Sequence, residues 1–323
     1  MAELSLAVAV PAAAALLAVP MQQRAWWLAP PVAAFALAHA LAVARAVPLA
    51  TALGDFQPPL GILLRADGMA AAFLLMAAVV AGAAALFAIG WFQGRSGTRE
   101  AISFWPLFFA GWSAVAGVFL LADLFSLFVA LELLTIAGVG MVLLSGKSGA
   151  VQAAITYLLY ALAGSLLFLL GAALLYAGHA TLDMALLKAR LAPSIAVGVA
   201  AAAMTLGLFL KAALFPFHLW LPPAHAAAPA PASAILSALV VKAAAYILLR
   251  LWFDLFPPLA TPALLLAFGV TGSAGVLVAS ALALRQAALK RIIAYSTVAQ
   301  LGYLLLALPL AGGSGPAQPW GAG

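Results

Sequence analysis

Long apolar runs alternate with short polar breaks along almost the whole chain. A bilayer core requires about 20 apolar residues in a helix. On that measure the pattern predicts ten transmembrane helices, near residues 4–20, 25–47, 66–92, 103–121, 123–144, 151–177, 195–221, 229–252, 261–284 and 291–310. We therefore expect an all-α polytopic membrane protein without a soluble domain.

The seventh run differs from the others because prolines interrupt it. Pro216, Pro222 and Pro223 follow one another closely in FPFHLWLPP, and proline removes a backbone donor and ends or kinks a helix. We expect Lys211 to lie well inside this helix, with a break near residues 211–228. A broken helix places free carbonyl groups and a partial negative charge beside an ammonium, as in several transporter ion sites.

Composition supports the membrane assignment and excludes several kinds of chemistry. The chain is 67% hydrophobic and 7% charged, against about a quarter charged in soluble proteins. It contains no cysteine, which excludes disulfides, thiolate iron–sulfur ligation and cysteine nucleophiles. Two neighbouring histidines without a third ligand make a weak metal site, so we expect no metal, no cofactor and no redox centre in this chain. The net charge of +6 forms no contiguous basic patch, so no nucleic-acid partner is expected.

Loop charges favour one orientation in the membrane. With the N-terminus outside, the inner loops hold seven basic residues and the outer loops five. Because cytoplasmic loops are enriched in Lys and Arg, this count predicts an outer N-terminus, in a membrane of the bacterial inner (plasma) type. The N-terminus has Glu3 and no basic residue before its apolar run, so we interpret that run as a retained first span.

Three ionisable residues remain within the apolar runs: Glu132, Lys211 and Lys242. Each costs at least about 2.5–3.5 kcal/mol at bilayer depth, so it persists mainly where a bundle interior or a water path accommodates it. The alternatives are a hydrogen-bonded structural carboxylate and lysines that extend to the membrane surface. If Glu132 lies near Lys211, its approach and withdrawal would switch the protonation of the buried amine, and Lys242 would be the next proton acceptor.

Polar residues near these three are candidates for lining a proton path. His218 and His225 flank the helix break and could relay protons or satisfy free backbone groups. Ser296, Gln300 and Tyr303 fall at i, i+4 and i+7 of the last run, which places them in one stripe on one helix face. Such a stripe either joins helices or lines a water path.

Three motifs carry a family resemblance: ADLFSLFVALELL around Glu132, LKAALFPFHLWLPPAHAAAPAPASAILSALVVKAAAYILLR, and LKRIIAYSTVAQLGY. From about Ile102 to Leu310 the chain resembles the antiporter-like membrane subunits of respiratory complex I, shared with Mrp-type antiporters and membrane-bound hydrogenases. The resemblance implies two inverted five-helix repeats, each with a broken helix. It also implies that Glu132, Lys211 and Lys242 carry protons.

The resemblance divides the chain into three parts. Residues 1–100 form N-terminal transmembrane helices, residues 101–255 a first repeat with its broken helix, and residues 256–323 the start of a second repeat. After Leu310 the chain runs AGGSGPAQPWGAG, where the family continues into a second broken helix with its own lysine. We therefore expect a C-terminally incomplete or split form.

The implied function is proton translocation as a subunit of a complex I-type assembly linked to quinone or hydrogenase chemistry. Its partners would be other membrane subunits. Two alternatives stay open, a subunit of a Mrp-type sodium/proton antiporter and a structural subunit that does not transport.

Overall fold

The computed structural model of the protein describes residues 3–312, and these are mostly helical. The α-helices of this range, named in chain order, are α1 (Ser5–Met21), α2 (Ala29–Ala46), α3 (Gly68–Trp91), α4 (Arg99–Leu120), α5 (Leu124–Leu143), α6 (Ala150–His179), α7 (Met184–Arg190), α8 (Ile195–Lys211), α9 (Leu221–Ala227), α10 (Ala230–Ile235), α11 (Val241–Arg250), α12 (Pro262–Leu284) and α13 (Leu289–Gly312).

Eight segments of the described chain are long and apolar enough to cross a membrane, which confirms an all-α polytopic membrane fold. The first, Ser5–Ala46, has 42 residues and contains both α1 and α2, joined by a 3-10 turn at Gln22–Leu28. Helix α8 has 17 residues and is shorter than a full span. The count of ten crossings and the repeat architecture stay predictions.

One predicted connection contains a β-hairpin that the sequence analysis did not anticipate. Strand β1 (Leu49–Ala52) pairs antiparallel with β2 (Leu63–Ala66), with Leu49 opposite Ala66. Leu64 also bridges to Leu121, and Asp123 bridges to Asp183. These contacts bring the ends of α3, α4, α5 and α7 together on one side of the bundle.

Glycines let two helix pairs approach closely, as small residues do in membrane bundles. A β-carbon on Gly164 of α6 would lie 2.6 Å from the carbonyl oxygen of Gly207 on α8 and 3.0 Å from Cγ of Lys211. A β-carbon on Gly302 of α13 would lie 2.7 Å from the carbonyl oxygen of Gly272 on α12. The first pair matters for function, because Gly164 leaves the space that the Lys211 side chain occupies.

The interruption of the seventh predicted span starts earlier than its prolines suggest. Helix α8 ends at Lys211, so the prediction that Lys211 lies well inside its helix is wrong. Ala213 has a positive φ of 53°, a 3-10 turn covers His218–Trp220, and α9 then begins at Leu221. The indole Nε1 of Trp220 donates to the carbonyl oxygen of Leu210 at 2.9 Å. This bond satisfies one of the carbonyl groups that a helix end leaves free.

The span after the break occupies the centre of the described bundle. Helices α10 and α11 are joined by a π-helical turn at Leu236–Val240, and together with a second π turn they form the apolar segment Ala230–Leu255. This segment is the most buried of the eight candidate spans, and α12 is the least buried. Lys242 thus lies on the central helix of the part of the chain that the structure describes.

Candidate functional site

Glu132 and Lys211 form an ion pair between α5 and α8. The Lys211 Nζ lies 3.0 Å from Glu132 Oε1, joining the middle of α5 to the last residue of α8. The lysine side chain is 4% exposed and the glutamate side chain is 25% exposed. The structure therefore brings together two of the three ionisable residues found in the apolar runs, 79 residues apart in sequence.

Hydroxyl and carbonyl groups surround this pair. Lys211 Nζ also donates to Thr135 Oγ1 at 2.8 Å and to the carbonyl oxygen of Leu131 at 3.3 Å. Ser165 on α6 donates a hydrogen bond to Glu132 Oε1. The ammonium thus has one charged and two neutral acceptors.

A small cavity lies beside the ammonium. Its lining includes Lys211, Thr135 and Tyr157 together with Val240 and Ala244, so it faces the central span. It has room for about one water molecule. The Tyr157 ring stacks on Trp220 with centroids 4.3 Å apart and planes inclined by 4°. The residue that closes the helix break therefore also supports one wall of this cavity.

Lys242 is held separately from the ion pair. Its Nζ donates to the carbonyl oxygen of Ser237 at 2.9 Å and to Gln300 Oε1 at 3.4 Å. Among the described residues these are its hydrogen-bond partners, and it makes none to Glu132 or Lys211. The π-helical turn supplies Ser237, whose hydroxyl lies 2.6 Å from that of Thr297 on α13. Within the described range, Lys242 thus has only neutral acceptors.

The two histidines of the break lie in different surroundings. His225 is fully buried, with Nδ1 2.8 Å from Ser233 Oγ, while Nε2 has no hydrogen-bond partner among the described residues. The His218 ring stacks on Phe215 and meets Tyr295 edge-on, with centroids 5.7 and 6.2 Å apart. Between residues 3 and 312, no group of three or more His, Cys, Asp and Glu residues could hold a metal ion.

The predicted stripe on α13 faces outward from the described chain. Ser296, Gln300 and Tyr303 are all exposed, and of the three Gln300 contacts a predicted site residue. Their neighbour Thr297 is buried, and it links α13 to the central span through Ser237. Ser296, Gln300 and Tyr303 therefore lie on one exposed face of α13, and of these three Gln300 accepts a hydrogen bond from Lys242.

A second charged cluster joins the start of α3 to the end of α11. The Arg250 guanidinium binds both carboxylate oxygens of Asp67, with Nη2 2.9 Å from Oδ1, and it also binds Asp254 at 2.9 Å and the Tyr246 hydroxyl at 2.6 Å. Burial alone would raise the pKa of Asp67, but hydrogen bonds from Arg250 and the Ala70 amide, with the Arg250 charge, lower it to about 2. The apolar pattern gives no sign of this contact, because Asp67 and Arg250 lie 183 residues apart in the chain.

Sequence reasoning also missed the hydroxyl groups around the ion pair. Thr135 is three residues after Glu132, which places both on neighbouring positions of one helix face. That spacing could have identified Thr135 as a companion of Glu132. No comparable signal exists for Ser165, since its approach to Glu132 depends on how α6 packs against α5.

The helical fold and the buried lysine–carboxylate pair at a helix break define the class: a polytopic membrane protein with an ionisable centre between its helices. The chain belongs to the family described as NADH:quinone oxidoreductase/Mrp antiporter, TM, whose sequence profile matches residues 122–318. The matched region contains Glu132, Lys211 and Lys242. The resemblance inferred from the three motifs is thereby confirmed.

Two curated relatives illustrate the breadth of this family. The chain is 36% identical over 277 residues to NADH-quinone oxidoreductase subunit N of Desulforudis audaxviator, covering 84% of this chain and 55% of the relative. It is 33% identical over 262 residues to a Na(+)/H(+) antiporter subunit of Alkalihalophilus pseudofirmus, covering 79% of this chain and 52% of the relative. The chain thus spans about half the length of these relatives.

Two solved structures share the fold. A chain of the membrane-bound sulfane sulfur reductase, an archaeal respiratory membrane complex, matches with a TM-score of 0.85 and 30% identity, over 95% of this chain and 65% of that one. A chain of the Mrp complex from a Dietzia species matches with a TM-score of 0.86 and 28% identity, over 96% of this chain and 59% of that one.

Proposed function

We propose that this chain translocates protons as an antiporter-like membrane subunit, with Glu132, Lys211 and Lys242 as the proton-carrying residues. One observation supports this proposal above the others. The ammonium of Lys211 lies 3.0 Å from Glu132 at the end of a broken helix, with a water-sized cavity beside it. A purely structural pair would not require the open space next to the proton donor.

The geometry supports a switching mechanism. With Glu132 in contact, the ammonium of Lys211 is stabilised by an opposite charge as well as by two neutral acceptors. When Glu132 withdraws, desolvation acts against the charged amine with less compensation, and the proton can pass to water in the cavity. Glu132 is the more exposed partner, so it is the group that can move.

Lys242 is the next acceptor in this proposal. The cavity beside Lys211 reaches the central span at Val240 and Ala244. Lys242 belongs to the same span but to a different face of it, because positions two residues apart do not share a helix face. In the described chain Lys242 has only neutral partners, so a proton arriving there meets no carboxylate that would retain it. His225, whose Nε2 has no hydrogen-bond partner between residues 3 and 312, and His218 are further relay candidates on the side of α9.

We place the chain in a multi-subunit assembly in a bacterial inner membrane, with its N-terminus outside and protons entering from the cytoplasmic side. The loop charges support this orientation, and the relatives named as subunits support the assembly. We retain the division into residues 1–100, 101–255 and 256–323 within this proposal. Energy would come from neighbouring subunits or from an ion gradient.

Sodium/proton exchange is a second candidate function. The observation that favours it is the 33% identity to a subunit of a Na(+)/H(+) antiporter. Proton flux that depends on sodium, measured in membrane vesicles without electron input, would support exchange. Flux that requires electron input and ignores sodium would support the redox-linked function.

The test of the proposed function is the substitution Lys211→Ala in the complete assembly. We expect proton flux into inverted vesicles to fall to the background of vesicles lacking the protein, because the amine that carries the proton is gone. Lys188→Ala, which removes an exposed lysine on α7, is the matched control and should leave the flux unchanged. Unchanged flux in Lys211→Ala with normal assembly would contradict proton transfer at this site and favour a structural role.

A further inference from the structure

Three hydrogen-bond acceptors surround the Lys211 ammonium, one for each of its N–H donors. A lysine ammonium carries three N–H donors, and the three acceptors are Thr135 Oγ1 at 2.8 Å, Glu132 Oε1 at 3.0 Å and the Leu131 carbonyl oxygen at 3.3 Å. The shortest of the three bonds goes to the neutral hydroxyl. Thr135 is therefore as close a partner of the ammonium as the carboxylate is.

Thr135 differs from Glu132 in how firmly it is held. Its hydroxyl donates to the carbonyl oxygen of Leu131, four residues back on α5, at 2.8 Å, and the residue is buried. With the hydroxyl proton directed to Leu131, an oxygen lone pair faces Lys211. Glu132 accepts a hydrogen bond from Ser165, but it is a quarter exposed and its side chain has three rotatable bonds. It can therefore leave the ammonium while Thr135 stays.

We propose that Thr135 is a positioning residue that keeps the Lys211 ammonium at the edge of the cavity while its contact with Glu132 opens and closes. This inference rests on the proposed proton transfer through Lys211. Thr135 also lines the cavity, so its oxygen holds the amine where a water molecule can reach it. Without that oxygen, the long lysine side chain would follow Glu132 or move away from the cavity.

Two substitutions separate the oxygen atom from the shape of the side chain. Thr135→Val keeps the shape and removes the acceptor, whereas Thr135→Ser keeps the acceptor and removes a methyl group. Because a hydrogen bond to a charged group contributes more than a neutral one, we expect proton flux per assembled complex to fall about tenfold or more in Thr135→Val. Thr135→Ser should retain at least about half of the normal flux, because its hydroxyl oxygen can still accept from Lys211.

A matched control exists on α6. The hydroxyl of Thr156 also donates to the carbonyl four residues back, that of Gln152, at 2.9 Å, but this bond is exposed at the surface of the helix. Thr156→Val therefore makes the same change away from the ion pair and should leave the flux unchanged. All four forms, the three variants and the unaltered chain, are compared in the complete assembly at equal amounts of assembled protein.

The outcomes separate this inference from the proposed function. Normal flux in Thr135→Val, alongside lost flux in Lys211→Ala, would overturn the positioning role and leave proton transfer intact. A serine variant as defective as the valine variant would also overturn it, because packing and not the oxygen would then matter. If Thr135→Val fails to assemble, Thr135→Cys offers a similar shape with a weak acceptor, and normal flux in that variant would overturn the inference.

Discussion

Within residues 3–312, two ion pairs join different helices, and they are built differently. Lys211 meets Glu132 through a single contact of 3.0 Å to one carboxylate oxygen, and it shares its other donors with neutral groups. Arg250 meets Asp67 through both carboxylate oxygens, and it also binds Asp254 and Tyr246. The lysine therefore has one carboxylate partner, whereas the arginine bonds to two carboxylates and a hydroxyl group.

The difference in residue type explains the difference in role. A guanidinium stays protonated in proteins and binds a carboxylate with a planar fork, whereas an amine can lose its proton when it is buried. Asp67 also caps the N-terminus of α3 by accepting from the Ala70 amide at 2.9 Å. The arginine pair thus fixes the start of α3 against the end of α11, and the lysine pair is the one that can change its state.

The comparison predicts its largest effect on stability at Arg250. Arg250→Met would leave the carboxylates of Asp67 and Asp254 partly buried without their cation, and breaking such a pair costs about 3 kcal/mol or more. We expect a marked fall in the thermal unfolding midpoint of the detergent-solubilised assembly, while flux per surviving complex stays near normal.

Arg65 supplies the control for this change because it approaches the same carboxylate. It lies 3.8 Å from Asp67 with its side chain 47% exposed, and exposed pairs contribute about 0–1 kcal/mol. Arg65→Met should therefore move the unfolding midpoint very little. Equal shifts for the two variants would refute the claim that the Arg250 fork fixes these helix ends.

The second prediction concerns flux at Lys211. Lys211→Arg retains a positive charge opposite Glu132 but removes the ability to release a proton at neutral pH. We therefore expect flux to fall below about a tenth of normal in assembled protein, which corresponds to a barrier higher by at least about 1.4 kcal/mol. Lys188→Arg on the exposed surface of α7 should have no effect. Normal flux in Lys211→Arg would show that no proton leaves this position.

The charges inside the membrane were the most informative part of the sequence. Glu132, Lys211 and Lys242 stand out because ionisable residues are costly in apolar runs, and two of them form a direct contact. The contact itself was not predictable from the pattern, because it depends on how α5, α6 and α8 pack around Gly164. Hydroxyl groups cost too little in a helix to stand out in this way, so Ser165 gave no signal, and Thr135 gave only its spacing of three residues from Glu132.

The helical spans were predictable from apolar length, whereas their ends and connections were not. The predicted break near residues 211–228 includes the end of α8 at Lys211, but Lys211 is the last helical residue and not an interior one. Ala213 turns the backbone to positive φ two residues later. The β-hairpin pairs Leu49 with Ala66 across its loop, and the fork joins Asp67 to Arg250, 183 residues further along the chain. Short-range patterns contain no information about such distant pairings.

The smallest expected effect is a change with pH in the stability that the Asp67 carboxylate provides through its two bonds to Arg250. The pKa of Asp67 is lowered from 3.8 to about 2 in the folded protein. A lowered pKa means that the carboxylate stabilises the fold fully above about pH 4 and loses this contribution as pH falls toward about 2. Asp67→Asn should therefore be less stable than the unaltered chain by roughly 1–2 kcal/mol at about pH 6, and the two unfolding midpoints should converge between about pH 4 and pH 2.

Asp55→Asn, at an exposed acid of the same loop, should show no such convergence. A difference for Asp67→Asn that stays constant with pH would mean that the fork holds α3 through hydrogen bonding alone, without the carboxylate charge.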